Sequence, residues 1–433
     1  MLWNGERIIN ILGLGGSAKL ARTIQSVSLA GLLFLAAGCG GGNAGVAGAE
    51  PVTAPPTSMA MQPNTFVQQG ANSEYVSQCI AVRGTVLYVG NVKTGEQAVW
   101  DGKQVFPFKS NLSNASVDCA NLRHALGGYN NSSGDFACFI WQYRIDGTVI
   151  PLPNCVNLGL AKNSDVFYDQ EIDRKTYNSV LYLLTVQGSH LTRVPYKIPP
   201  GTTVGESTLI EVTKSGLALV RTSFGDAASV NKHVALRARS FPFKHTVEGP
   251  PDPKTPVSTA PTPSGYYLLS TMAEPVEVFF PAGTSEGFFN GLNDQGICVG
   301  YVYGLNSSGT EFLQEPYWWD AKGQPHPLPL PSSETQGIAW DINDSGTVVG
   351  DISGPPSYRG AMWPNVNSTP VDVNSLLTNF PYYVGSVQSI GEDSTMFAVC
   401  QPSAESYSNL YYLGLKPAAA RNSGPFAQFS DRR

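Results

Sequence analysis

Beyond about residue 72 the chain alternates short apolar runs, rich in Val, Ile, Leu, Tyr, Phe and Trp, with clusters of Asn, Asp, Gly, Ser and Pro. No stretch holds a clean helical period. Short apolar runs bounded by turn residues predict strands, so the chain reads as all-β. The runs also repeat. Leu292-Asn293-Asp294-Gln295-Gly296-Ile297-Cys298-Val299-Gly300 returns 50 residues later as Ile342-Asn343-Asp344-Ser345-Gly346-Thr347-Val348-Val349-Gly350. Each copy is followed by an aromatic strand, Tyr317-Trp318-Trp319 or Ala361-Met362-Trp363, and then by a short closing run, Pro327 to Leu330 or Val371 to Val373.

Weaker copies extend the array in both directions. Lys214-Ser215-Gly216 and Glu392-Asp393-Ser394 stand at turns like Asp344-Ser345-Gly346, each between apolar runs. Gln97 to Gly102 and Phe136 to Trp141 supply further aromatic strands, and Val180 to Leu184 marks a degenerate unit. The units start near residues 75, 118, 155, 207, 287, 337 and 384. A period of roughly 50 residues is the size of a four-stranded propeller blade. The expectation is a β-propeller of about seven four-stranded blades, with six or eight also open. One such unit cannot bury both faces of its sheet, so neighbours must supply the core. Trp100, Trp141, Trp319 and Trp363 fall at matching places and are expected between blades. Asn and Asp tolerate left-handed backbone angles, which assigns the Asn-Asp-x-Gly segments to hairpin turns. The Val-Val-Gly strand after the turn is expected nearest the axis.

The segment Asp341 to Gly350 followed by Gly360 to Trp363 resembles the HAF-type extracellular repeat of bacterial secreted proteins, although the family's His-Ala-Phe signature is absent. That resemblance implies an extracytoplasmic propeller-like array and no particular activity.

The N-terminus has a different pattern. Arg7, Lys19 and Arg22 precede an apolar run from Val27 to Ala37, which is the layout of an export signal. The run is about half of the roughly 20 residues that a spanning helix needs. Leu35-Ala36-Ala37-Gly38-Cys39 resembles the lipobox of bacterial lipoproteins, with Ala36 where Leu is commonest. The resemblance implies cleavage before Cys39 and lipid, palmitate included, on its thiol. Gly40 follows the cysteine where an inner-membrane retention signal would have Asp. The expected address is therefore the outer membrane, facing the periplasm or the surface. The expected organisation is a signal peptide over 1–38, a Gly-, Pro- and Ala-rich tether over 39–72, the propeller over 73–416 and a polar tail over 417–433.

Composition narrows the partners. The chain has 27 basic and 33 acidic residues; cleavage removes three and one, leaving 24 and 32, or −8. That charge leaves no footprint for nucleic acid. The 45 Gly and 32 Pro fit a chain of many turns. Besides Cys39, six cysteines remain: Cys79, Cys119, Cys138, Cys155, Cys298 and Cys400. An even number in an exported chain permits disulfides, and six allow 15 pairings. Cys298 and Cys400 lie in or beside apolar runs, where inert thiols are the other expectation.

Catalytic motifs are scarce. The histidines, His124, His190, His233, His245 and His326, have no metal spacing and no G-x-S-x-G partner. Arg123-His124 reads as a solvated loop pair. Asp341-Ile342-Asn343-Asp344-Ser345-Gly346 matches half of a calcium loop, but Ile352 stands where the final Glu belongs, so a plain turn is expected. No catalytic residue, metal or cofactor is assigned. The expectation is a membrane-tethered, non-catalytic scaffold for a protein or glycan ligand, with the Pro-rich segment 249–263 as its contact loop. The alternative is a propeller enzyme acting on envelope or extracellular polysaccharide.

Overall fold

In the computed structural model, the described residues are 59–61, 78–82, 85–91, 96–101, 104–162, 164–172, 179–204, 207–225, 265–282, 284, 286–305, 312–354, 357–404 and 411–417. They form seven antiparallel sheets, six of four strands and one of six. The sheets begin at Gln78, Ser113, Cys155, Thr208, Glu286, Gln336 and Tyr383, and they are numbered here as blades 1 to 7 in that order. These starts match the repeat spacing read from the sequence. One 3₁₀ turn, Val373–Leu376, is the helical element among the described residues.

The first strands of consecutive blades lie against one another for most of the circuit. Thr208–Val212, Glu286–Leu292, Gln336–Ile342 and Tyr383–Ile390 follow in turn, and Tyr383–Ile390 comes back against Gln78–Val82. The ring is closed, and its innermost strand is the one before the Asn-containing turn. The Val-Val-Gly strand, Val348–Gly354, is therefore second from the axis and not nearest it.

A close backbone carbonyl beside a bulge explains the motif glycine in three blades. In blades 2, 5 and 6 the first strand shifts register two residues before it ends, between Val117 and Cys119, Phe289 and Gly291, and Ala339 and Asp341. The bulge pushes a carbonyl onto the facing second-strand residue. A Cβ there would sit 1.7 Å from the Ser116 oxygen at Gly127, and 1.9 Å from the Phe288 and Ile338 oxygens at Gly300 and Gly350. Only glycine fits.

The Asn-Asp-x-Gly segments are turns, but the reason for Asn differs from the expectation. Gly296 and Gly346 take the left-handed angles (φ 77° and 81°), while Asn293, Asp294, Asn343 and Asp344 have none. Asn is used for its side chain. Asn293 Oδ1 accepts from the amides of Gln295 and Ile297, and its Nδ2 donates to the Asn343 carbonyl of the next blade. Asn343 repeats the plan, closing its own turn and donating to the Gly391 carbonyl. Asn121 does the same between blades 2 and 3, onto the Ala161 carbonyl. Outer joints use tryptophan. Trp319 and Trp363 are fully buried, and each donates its indole N–H backwards, to Phe279 O and Pro329 O of the preceding blade. Trp100 and Trp141 are also buried, as the repeat pattern required.

The tether boundary is corrected. Met59–Met61, placed in the 39–72 spacer by composition, pairs with Tyr411–Pro417 as the outer strand of blade 7. The ring thus closes by joining the two ends of the chain in one sheet. The segment 1–38 expected to be a signal peptide, Cys39, segment 249–263 and residues 418–433 lie outside the described residues, as does the side chain of Cys79.

Candidate functional site

The inner turns converge on the axis, and four blades send charged side chains into it. Lys162, in the turn of blade 3, is ion-paired with Asp341 at the end of the first strand of blade 6. Blades 3 and 6 are as far apart as a ring of seven allows, so this pair spans the axis. Glu211 of blade 4 and Glu392 of blade 7 also act on the Lys162 ammonium, and the carboxylates raise its pKa against the cost of burial. Asp341 is fully engaged. Its Oδ1 also accepts from its own strand at Ile342 N, and its Oδ2 accepts from Ile390 N of blade 7 at 2.8 Å. Gly291, at the matching place in blade 5, leaves room for it: a Cβ there would lie 3.1 Å from Asp341 Oδ1.

A second set of charges rims the same end. Lys214 of blade 4 binds Asp294 of blade 5 at 3.0 Å and also Asp344 of blade 6. The acids extend the chain of contacts by accepting backbone amides: Ser215 N to Asp294, Asp294 N to Asp344, and Asp344 N to Glu392. Each such bond joins one turn to the next, and bonds to ionised acceptors are the stronger kind.

Further along the first strands, blades 5 and 6 form an aromatic shelf. Phe288 stacks on Tyr301, Tyr301 meets Tyr303 edge-on, and Tyr301 meets Trp340 at 6.4 Å between ring centroids. Trp340 is the bulge residue of blade 6 and is partly exposed. Its indole N–H donates to Asp351 Oδ2 at 2.6 Å, and the Ser386 hydroxyl of blade 7 donates to the same oxygen at 2.9 Å. Asp351 is 5% exposed, and its Oδ1 has no hydrogen-bond partner. Burial pushes its pKa up to about 6, against the two donors that lower it. A carboxyl in that range can give or take a proton near neutral pH. Aromatic faces beside it suit the flat apolar faces of sugar rings.

The residues singled out from sequence fall elsewhere. Cys119, Cys138, Cys155, Cys298 and Cys400 form no disulfide here, and the last four are buried. Burial pushes Cys400 up to about 12 and Cys298 higher still, as inert thiols should be. His124 is not solvated: it is 1% exposed, edge-on to Phe167, and burial lowers its pKa. Its partner Arg123 does reach solvent, bound to Asp165 at 2.6 Å. Segment 341–346 has its first carboxylate committed to Lys162 and to two backbone amides. Among the described residues no group of three or more His, Cys, Asp or Glu is placed to hold a metal ion, and no helix is long and apolar enough to cross a membrane. Lys162, Glu211 and Asp351 were not singled out by motif. The bulge flags Trp340 and Asp341, but nothing local shows that Lys162 meets Asp341.

No family model matches the chain, and no curated protein does. Solved structures do. The β-propeller domain of the Trilobed protease from Pyrococcus furiosus is similar at 9% identity, over 80% of this chain and 96% of that one, with a TM-score of 0.44. The acylaminoacyl peptidase of Pyrococcus horikoshii is similar at 9% identity, over 80% of this chain and 52% of that one, with a TM-score of 0.40. A polysaccharide lyase, an ulvan lyase bound to a fragment of glucuronic acid and sulfated rhamnose, is similar at 11% identity, over 82% and 96%, with a TM-score of 0.37. These similar propellers belong to peptidases and to a polysaccharide lyase, against the expectation that the chain is not an enzyme, and they assign this chain no activity of their own. At such identities the likeness is one of fold alone.

Proposed function

We propose that this chain is a propeller enzyme acting on an envelope or extracellular polysaccharide, held at the membrane by lipid on Cys39. The observation that carries this is the meeting, at one axis, of charges from four blades beside an aromatic shelf with a buried carboxyl. Lys162, Glu211, Asp341 and Glu392 form the charged centre, and Phe288, Tyr301 and Trp340 form the shelf. Single residues drawn from several blades are how a propeller assembles a site. In this reading the rings stack a sugar. Asp351, buried behind the shelf, positions it by accepting from the Trp340 indole, and the lysines donate to the sugar's oxygens.

The test incubates the purified chain with uronic-acid, neutral and amino-sugar polysaccharides and follows chain length by gel filtration, together with new reducing ends. Shortening of one class is expected, with loss of at least tenfold in rate for Trp340→Ala. If no class is shortened, or if Trp340→Ala acts at the wild-type rate, the reading fails. The anchor is tested separately, by feeding cells labelled palmitate. Label should follow the wild-type chain and be lost in Cys39→Ser; label retained in the variant would refute lipidation at that thiol.

A further inference from the structure

Three of the described cysteines meet in one packed cluster between blades 2 and 3. Cys138 lies on the third strand of blade 2, Cys155 opens the first strand of blade 3, and Cys119 packs against the same cluster. Cys138 is 2% exposed and Cys155 0%. Their thiols are in hydrogen-bonding contact, and the Cys155 thiol also reaches the buried Asp169 carboxyl. Cys298 and Cys400 lie in other clusters, in blades 5 and 7, each with no second cysteine among the described side chains.

We propose that Cys138 and Cys155 are a disulfide-forming pair that staples blade 2 to blade 3, with an external disulfide as the oxidant. In this structure both are thiols. No strand pairing joins the two sheets. Side chains alone hold this interface, so a covalent bond across it would add what the ladders within each blade cannot. The facing groups are a carboxylate and a guanidinium: Asp169 sits beside Cys155, and Arg193 binds Asp169 Oδ2 at 3.2 Å. No metal claims the thiols, since no metal-binding group exists among the described residues.

The exchange balances. The Cys138 sulfur attacks the external disulfide, forms a mixed disulfide and releases one thiol. Cys155 gives its proton to the Asp169 carboxylate and its sulfur attacks the Cys138 sulfur. The second external thiolate leaves and takes up the proton. The two cysteines lose two electrons and two protons, and the oxidant becomes two thiols. Burial holds the Cys155 thiol in its protonated form, so exchange belongs to the time before the blades close, when the sulfurs are accessible.

In the cell an oxidant is at hand only where the export reading places the chain. The test therefore uses the purified full chain, refolded with oxidised glutathione, so that failure of the pair and failure of export are distinguishable. Free thiols are alkylated in denaturant, and the unreduced chain is digested and mapped by mass. A Cys138–Cys155 cross-linked peptide is expected, with Cys298 and Cys400 alkylated. The melting temperature should fall by about 4 °C on adding reductant, from the loop-entropy scale for a short loop in a chain of this size. Recovery of Cys138 and Cys155 both alkylated, or of a link from Cys119 to either, would overturn the proposal. The map is read on the wild-type chain, so it stands even if Cys155→Ser does not fold. The same map of chain taken from the envelope then shows whether the pair is oxidised in the cell.

Discussion

In blades 5 and 6 the turn asparagines, the second-strand glycines and the third-strand tryptophans stand in matching places, and each contacts neighbouring chain. Blade 3 keeps the strand order and loses all three. Counted from its paired turn ends, Ala161, Asp169 and Leu184 occupy the places of Asn343, Gly350 and Trp363. It also carries two extra strands. Yet blade 3 supplies the ammonium that crosses the axis and a buried carboxyl beside a buried thiol pair. Regular blades hold the ring, and the irregular one is free to place chemistry. The same division runs within blade 6, whose regular turn holds the ring while its bulge residues Trp340 and Asp341 face the site.

The largest effect should come from the regular side. Gly350→Val places carbon against the Ile338 carbonyl, and the bulge cannot yield without losing its register to the second strand. The expected cost is more than about 4 kcal/mol, read as loss of soluble folded chain. A Gly350→Val chain with a normal melting curve would mean that the motif glycine is dispensable, and the division above would fall. Lys162→Met is next. It leaves Asp341, 3% exposed, without its counter-ion. Removing one partner of a buried pair costs about 3–5 kcal/mol. Adding Asp341→Asn should recover much of that loss in urea unfolding. Strictly additive losses would show that the two residues do not act as a pair.

Asp351 tests the site through pH. Its pKa is raised by burial from 3.8 to about 6, so the folded chain binds a proton that the unfolded chain releases. Between those values stability must fall as pH rises, because the ionised carboxyl is paid for by desolvation in the folded state alone. The full difference is about 3 kcal/mol. Asp351→Asn keeps an acceptor for Trp340 and Ser386 but carries no charge. Its melting temperature should vary less between pH 4 and pH 6 than that of the wild type. Equal slopes in the two chains would show that Asp351 does not titrate there.

How far the sequence reveals this arrangement follows from the range of each interaction. Blade starts were legible because the turn and the bulge glycine are local: Asn343, Gly346 and Gly350 fall within eight residues and recur at a 50-residue offset. Buried tryptophans were legible for the same reason. The closing strand was not. Met59–Met61 has three residues, no alternation, and a partner at the far end of the chain, and Gly- and Pro-rich neighbours mask it. Lys162 was invisible because its partner lies 179 residues away. His124 looks solvated in the sequence because its burial depends on Phe167 and Asp165, contributed by the next blade.

Asn343→Ala compares regular and irregular joints directly. It removes the donor to Gly391 and the acceptor for Thr347 N and the Ser345 hydroxyl, all at a fully buried residue. Unpartnered buried groups cost about 1–3 kcal/mol, so a loss near 2 is expected. In blade 4 Thr213 holds the same place, and its hydroxyl accepts from Leu217 N within its own turn. Thr213→Ala should cost less. Equal losses would show that the asparagine's reach to the next blade contributes nothing beyond closing the turn.

The smallest effect lies in blade 7, whose turn carries Ser394 where the repeat has glycine. Gly216, Gly296 and Gly346 hold the left-handed angle in blades 4, 5 and 6, but Ser394 holds it in blade 7, at φ 63°. Its amide donates to Gly391 O at 2.9 Å, as the Gly346 amide donates to Asn343 O at 3.0 Å, so the backbone of the turn is the same. A side chain with a Cβ in that region is strained by about 1 kcal/mol, and glycine gives back part of the gain through the entropy of the unfolded chain. Ser394→Gly should therefore stabilise the chain by less than about 1 kcal/mol, seen as a small rise in melting temperature. Gly346→Ser, the reverse change in blade 6, should lower it by a similar amount, since the space beside Gly346 is open and backbone angle is the sole obstacle. Opposite signs in the two variants would place the cost in the backbone angle; a fall in both would mean that Ser394 contributes through its hydroxyl.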